Sequence, residues 1–149
     1  MSGDSKEYFE FVEDITLADI AVHCRAKTVE RIFTLNAEAL LHVCLEDPTK
    51  LGKVVKYHIS LQHNYLDLLL VKFLNELIFI KDTKGLLVYP ETIQIVYSKD
   101  VIACEVDCIG DYITKGYEIN VDPKAVTMHK VKCEKINNDE WESFIVIDV

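Results

Sequence analysis

Residues 64–85 read NYLDLLLVKFLNELIFIKDTKG, and this stretch decides the fold. Leu66, Leu69, Leu70, Phe73, Leu74 and Leu77 recur at three- and four-residue intervals, the spacing that gathers apolar side chains on one helical face. Asn64 is a good residue to cap the start, and Asp67 falls where the positive end of the helix dipole favours an anion. Gly85, directly after Lys84, supplies a left-handed stop. Asp67, Lys72, Asn75 and Glu76 interrupt the apolar run from Leu66 to Ile80, so the segment reads as a helix of a globular core and not as a membrane span.

Immediately upstream, Val55, Tyr57, Ile59 and Leu61 alternate with polar residues, the period of a half-buried strand. Further back, Thr28 can cap a second helix running to about Leu45, where Asp47-Pro48 stops it. Its apolar stripe includes Ile32, Phe33, Leu40, Leu41 and Cys44. Ala18, Ile20, Val22 and Cys24 alternate with Asp19, Ala21, His23 and Arg25, a strand preceded by a short apolar run from Tyr8 to Val12. Downstream, strands are expected at Leu86–Tyr89, Thr92–Ser98 and Val101–Cys108, with Lys99-Asp100 as a tight connection. Val126–Glu134 and Trp141–Val149 then form a hairpin about Asn137-Asn138-Asp139. Strands that outnumber two helices predict an α+β fold of two layers, with both helices on one face of a largely antiparallel sheet. The 149 residues fit one domain spanning 1–149, with a flexible start at 1–6.

Composition narrows the function. Half of the residues are hydrophobic and the formal net charge is −9. Phosphate neutralisation by basic side chains supplies most non-specific nucleic-acid affinity, so this acidic chain is expected to bind naked RNA or DNA weakly. A protein partner or a cation is the better expectation. The five cysteines form no C-x-x-C pair, and the start lacks the basic and then apolar regions of a signal peptide. Free thiols in the cytosol or nucleus follow. The five glycines are scattered, which leaves no phosphate cradle or dinucleotide fingerprint.

The chemistry concentrates at the end of the sequence, Glu142-Ser143-Phe144-Ile145-Val146-Ile147-Asp148-Val149. This is a β-branched, apolar strand, so a terminal carboxylate on Val149 is expected to be ordered next to Asp148. Two adjacent anions call for a compensating positive charge, and a hard cation with oxygen ligands suits them. Asp19, which interrupts another apolar strand, supplies a third carboxylate; spacing alone places it on the solvent face. Asp19, Asp148 and Val149 together make a start on a calcium site. Cys104 and Cys108 share a strand face but match no zinc spacing and read as small core hydrophobes. His129 lies in a strand near the acidic residues and reads as a structural histidine. Lys124, after Pro123, opens an apolar strand, where an exposed lysine discourages edge-to-edge pairing.

Four segments, in order, resemble the archease family: Leu17-Ala18-Asp19-Ile20-Ala21-Val22 with Lys27-Thr28, Leu74-Asn75-Glu76-Leu77-Ile78-Phe79 with Asp82-Thr83-Lys84-Gly85-Leu86, Lys124-Ala125-Val126-Thr127-Met128-His129, and Ile147-Asp148-Val149. The resemblance implies a non-catalytic accessory protein, without catalytic residues of its own, that activates an RtcB-type RNA ligase. It implies that such a protein promotes guanylylation and multiple turnover in tRNA splicing and RNA repair. It also implies a metal site at Asp19, Asp148 and Val149, with calcium the first expectation and magnesium or manganese as alternatives, and a role for Lys124 toward the ligase. The chain departs from the family pattern at Thr16 and Leu17, at Ala21 and at Tyr117. Two other readings stay open: a metal-dependent hydrolase with Asp19 and Asp148 as ligands and His129 as base, and a chaperone-like interaction module.

Overall fold

The computed structural model describes residues 7–12 and 19–149. The expected flexible start at 1–6 and the residues Thr16, Leu17 and Ala18 lie outside the described residues. In chain order the elements are β1 (Tyr8–Val12), β2 (Asp19–Ala26), α1 (Val29–Cys44), β3 (Val55–His63), α2 (Leu66–Lys84), β4 (Leu86–Tyr97), β5 (Ile102–Tyr112), β6 (Ala125–Asn137) and β7 (Glu140–Asp148). Single 3-10 turns occupy Pro48–Lys50 and Ile113–Lys115.

The fold is α+β, as the element content predicts, and every strand pair is antiparallel. The strands divide into two sheets, of order β1-β2-β7-β6 and β3-β5-β4, where one sheet was expected. Alternation reveals which side of a strand is buried; it does not say which strand lies beside it. Both helices pack against both sheets, α1 mainly on β4 and β2, α2 mainly on β6 and β4. A large core results, in which Phe33 of α1 meets Phe73 of α2 with ring centroids 5.6 Å apart, and a smaller cluster gathers around Leu41, Leu45 and Leu87.

The helix boundaries follow from local chemistry. Thr28 caps α1, its hydroxyl accepting from the Arg31 amide at 3.1 Å. Gly85 ends α2 at φ 62°, a left-handed conformation that only glycine adopts without a Cβ penalty. Asn64 is not the cap expected of it. Tyr65 takes that position without a side-chain bond, and the nearby amides of Tyr65 and Leu68 are met by His63 Nδ1 and Asp67 Oδ1. The two strands expected at Leu86–Tyr89 and Thr92–Ser98 are one, β4, with a register shift between Pro90 and Thr92. Pro90 lacks an N–H, yet β4 is an edge strand and tolerates it. Gly110 of β5 passes so close to β4 that a Cβ there would run into the Leu87 carbonyl.

Candidate functional site

The register of β2 against β7 builds the site. Ile20, Val22, Cys24 and Ala26 belong to the core or pack on it, as do Trp141, Ile145 and Ile147. Asp19 and Asp148 therefore share the opposite face. They are direct partners across the ladder, and Ala125 of β6 continues the row on the other side of Asp148. Residues directly opposite in an antiparallel pair bring their Cβ atoms to roughly 4.5–5.5 Å, so two carboxylates at such a position are close neighbours. Both aspartates are half-buried. Val149 is half-buried as well, with its side chain packed on the core, as the alternation of β7 requires.

Lys124 reaches this row through its backbone: its amide donates to the Asp148 carbonyl at 2.8 Å. The side chain of Lys124 is exposed. The route to it is tied down at each step. The amides of Asn120 and Val121 meet the carbonyls of Cys44 and Val43, the last turn of α1. Asp122 joins Asp82 in holding Lys81 of α2, whose side chain is only 8 % exposed. Burial works against the Lys81 charge, but the two carboxylates outweigh it and leave the ammonium pKa above its ordinary value. Asn75 of α2 then bonds both backbone groups of Val126, accepting from its amide at 2.8 Å and donating to its carbonyl at 2.9 Å.

Asp19, Asp148, Val149 and Lys124 thus converge on one end of the four-stranded sheet, although they come from positions as far apart as 19 and 149. His129 does not join them as a buried group. β6 bulges between Thr127, opposite Val146, and Lys132, opposite Phe144, and His129 lies exposed in that bulge. Lys130 beside it takes a positive φ of 54°. Tyr117, where the family pattern departs, donates from its hydroxyl to Asp111 at 2.6 Å and accepts from the Gly52 amide at 2.8 Å.

Among the described residues, no group of three or more histidine, cysteine, aspartate or glutamate side chains is arranged to hold a metal ion. The hard oxygen donors at this end are the two facing aspartates and the backbone carbonyls beside them. That donor set suits an oxygen-seeking cation and not a thiolate-bound metal. The five cysteines are buried and free. Burial pushes the Cys24, Cys44, Cys108 and Cys133 thiols up to about 12 and Cys104 to about 11, so they are inert core residues. Among the described residues no helix is long and apolar enough to cross a membrane.

The same face of the sheet carries a second charged cluster at its far end. Glu142 of β7 accepts from Lys132 at 2.8 Å, from His23 Nε2 at 2.8 Å and from Arg25 Nε at 3.2 Å. Arg25 also bonds Glu140 at 3.0 Å, and His23 lies 3.0 Å from Glu10 of β1. Lys132, then His23, pull the Glu142 carboxyl down to about 2. Nothing in the linear sequence marks this cluster. Its members are ordinary surface types, and only the strand order brings them together.

Known proteins share this chain's fold and sequence pattern. The model of the Archease protein family (MTH1598/TM1083) matches residues 9–149. Protein archease of Pyrococcus furiosus is 30 % identical over 143 residues, covering 89 % of this chain and 93 % of that protein. Protein archease of Archaeoglobus fulgidus is 24 % identical over 132 residues, covering 89 % and 93 %. The solution structure of Methanobacterium thermoautotrophicum protein 1598 superposes with a TM-score of 0.81 at 24 % identity, covering 95 % of this chain and 98 % of that one. The crystal structure of an archease, possible chaperone, from Thermotoga maritima gives 0.59 at 18 % identity, covering 94 % and 98 %. On the extent of the family match and the identity to the Pyrococcus furiosus protein, this chain belongs to the archease family.

Proposed function

We propose that this protein is a non-catalytic activator of an RtcB-type RNA ligase and works through a divalent cation held by Asp19, Asp148 and Val149. The observation that carries the reading is the direct pairing of Asp19 with Asp148 across β2 and β7. Two carboxylates set side by side give a pair of hard oxygen donors on one face, which supports a cation shared between them. Calcium is the first candidate, with magnesium or manganese as alternatives, because all three take oxygen ligands. Such an ion would supply positive charge toward phosphate oxygens of the partner's nucleotide.

This chain's own residues do the rest. β2 and β7 present the two carboxylates on one face, and the Asp148 carbonyl holds the Lys124 amide. The Lys124 side chain is exposed, and it is proposed to contact the ligase. Five free buried thiols support work in a reducing compartment such as the cytosol.

The test mixes the protein with the RtcB-type ligase of the same organism, GTP and manganese, and follows ligation past one turnover. Stimulation that is lost in Asp148→Ala supports the reading. Equal ligation with and without the protein overturns it. Phosphate release with no ligase present would favour a hydrolase instead.

A further inference from the structure

The start of β6 is a short island. Proline at 123 precedes it, and only Ala125, Val126 and Thr127 pair with β7 before the bulge. Five steps along β6, from Thr127 to Lys132, span two steps on β7, from Val146 to Phe144. The left-handed backbone of Lys130 lies within that interruption. β6 is also an edge strand, so its outward backbone groups have no neighbouring strand to meet. Three residues of ladder next to a bulge are a weak attachment and would open locally before the rest of the sheet.

We propose that Asn75 is a positioning residue for the Asp19, Asp148 and Lys124 end: its carboxamide grips both backbone groups of Val126 and so seats the strand start that carries Lys124. This inference rests on the function proposed above for that end. The side chain fits the task closely. Val126 presents one donor and one acceptor, and a carboxamide supplies the matching pair at 2.8 and 2.9 Å. Aspartate would keep only the acceptor, and leucine neither. Asparagine is a poor helix former, and here it stands mid-helix between Leu74 and Glu76, better helix formers both. Its two bonds across to β6 account for its presence. The grip also passes straight to the site. Val126 adjoins Ala125, which pairs with Asp148, and Lys124 bonds Asp148 in turn.

The experiment compares the full-length protein with Asn75→Ala and Asn75→Gln by native-state hydrogen exchange and by calorimetric titration with calcium alone. In Asn75→Ala the Lys124 and Val126 amides are expected to exchange about tenfold faster or more, since two backbone bonds are lost. Ile59 and Val106, paired in the other sheet, keep their protection. Calcium affinity falls by about tenfold, and Asn75→Gln, which retains donor and acceptor, recovers most of both effects. Unchanged Lys124 exchange, or exchange that rises equally at Lys124, Ile59 and Val106, overturns the proposal. So does a loosened Lys124 with calcium affinity intact. If the unmodified protein binds no calcium, the function proposed above fails, and the exchange at Lys124 alone then decides whether Asn75 positions it.

Discussion

One face of the β1-β2-β7-β6 sheet gathers different charges at its two ends. At the far end, Glu142 is surrounded by Lys132, His23 and Arg25, and Arg25 bonds Glu140 as well. At the near end, on the same two central strands and the same side of them, Asp19 stands opposite Asp148. The first arrangement lowers the energy of the folded chain. The second sets two carboxylates directly opposite each other in the ladder. The cluster around Glu142 helps to hold the sheet together, and the Asp19–Asp148 end is the one proposed above to bind a cation.

The sharpest test of that division is a double dissociation. Loss of outer-sphere partners alone weakens metal sites roughly 10–100-fold, so Asp148→Ala, which removes a proposed direct ligand, is expected to cut calcium affinity by more than about 100-fold. Its midpoint in urea should barely move. Glu142→Ala should do the reverse. Leaving Lys132, His23 and Arg25 without their shared acceptor is expected to cost about 1–3 kcal/mol in urea unfolding, with calcium affinity unchanged. If either variant shifts both quantities together, the two ends are coupled and the division fails.

Acid sharpens the comparison further. The folded Glu142 carboxyl titrates near 2, below its usual 4.5, so the charged form is favoured by folding. Its contribution is complete above about pH 4.5 and is lost as pH falls through about 2. Glu142 is 15 % exposed, and solvent screening keeps the effect on the order of 1–2 kcal/mol. Urea midpoints measured from pH 5 to pH 2 should fall less steeply in Glu142→Gln than in the parent chain.

The smallest effect belongs to the near end without metal. In a chelator, Asp148→Asn should leave the fold as stable as the parent or more so, by roughly 0.2–1 kcal/mol, because one of two facing charges is gone. Added calcium should stabilise the parent and not the variant. A calcium-free Asp148→Asn protein clearly less stable than the parent would mean that the acidic pair holds the sheet together.

Much of the architecture is legible in the order of the residues. α2 shows itself by its leucine spacing and Gly85, and α1 by its Thr28 cap, because helical periodicity and capping are local. The final hairpin turns about Asn138 and Asp139, where the sequence places it, for the same reason. Asn64 misleads because the amides at the α2 start are met by His63 and Asp67. β4 reads as two strands because Pro90 looks like a terminator, which it is not on an edge strand. The candidate residues Asp19, Asp148, Val149 and Lys124 stand out through their chemistry and through the family resemblance. Asn75 does not, since a mid-helix asparagine reads as a polar break in an apolar run.

What the sequence determined by itself was the α+β content, both helices, the alternation of β2 and β3 and the candidate acids Asp19 and Asp148, all properties of residues within a few positions of one another. What only the tertiary structure decided was adjacency: two sheets instead of one, Asp19 opposite Asp148, and Glu142 among three cations. The reason is physical. Alternation repeats every two residues and is identical for every candidate neighbour, so the choice among partners rests on packing both helices against all the strands at once.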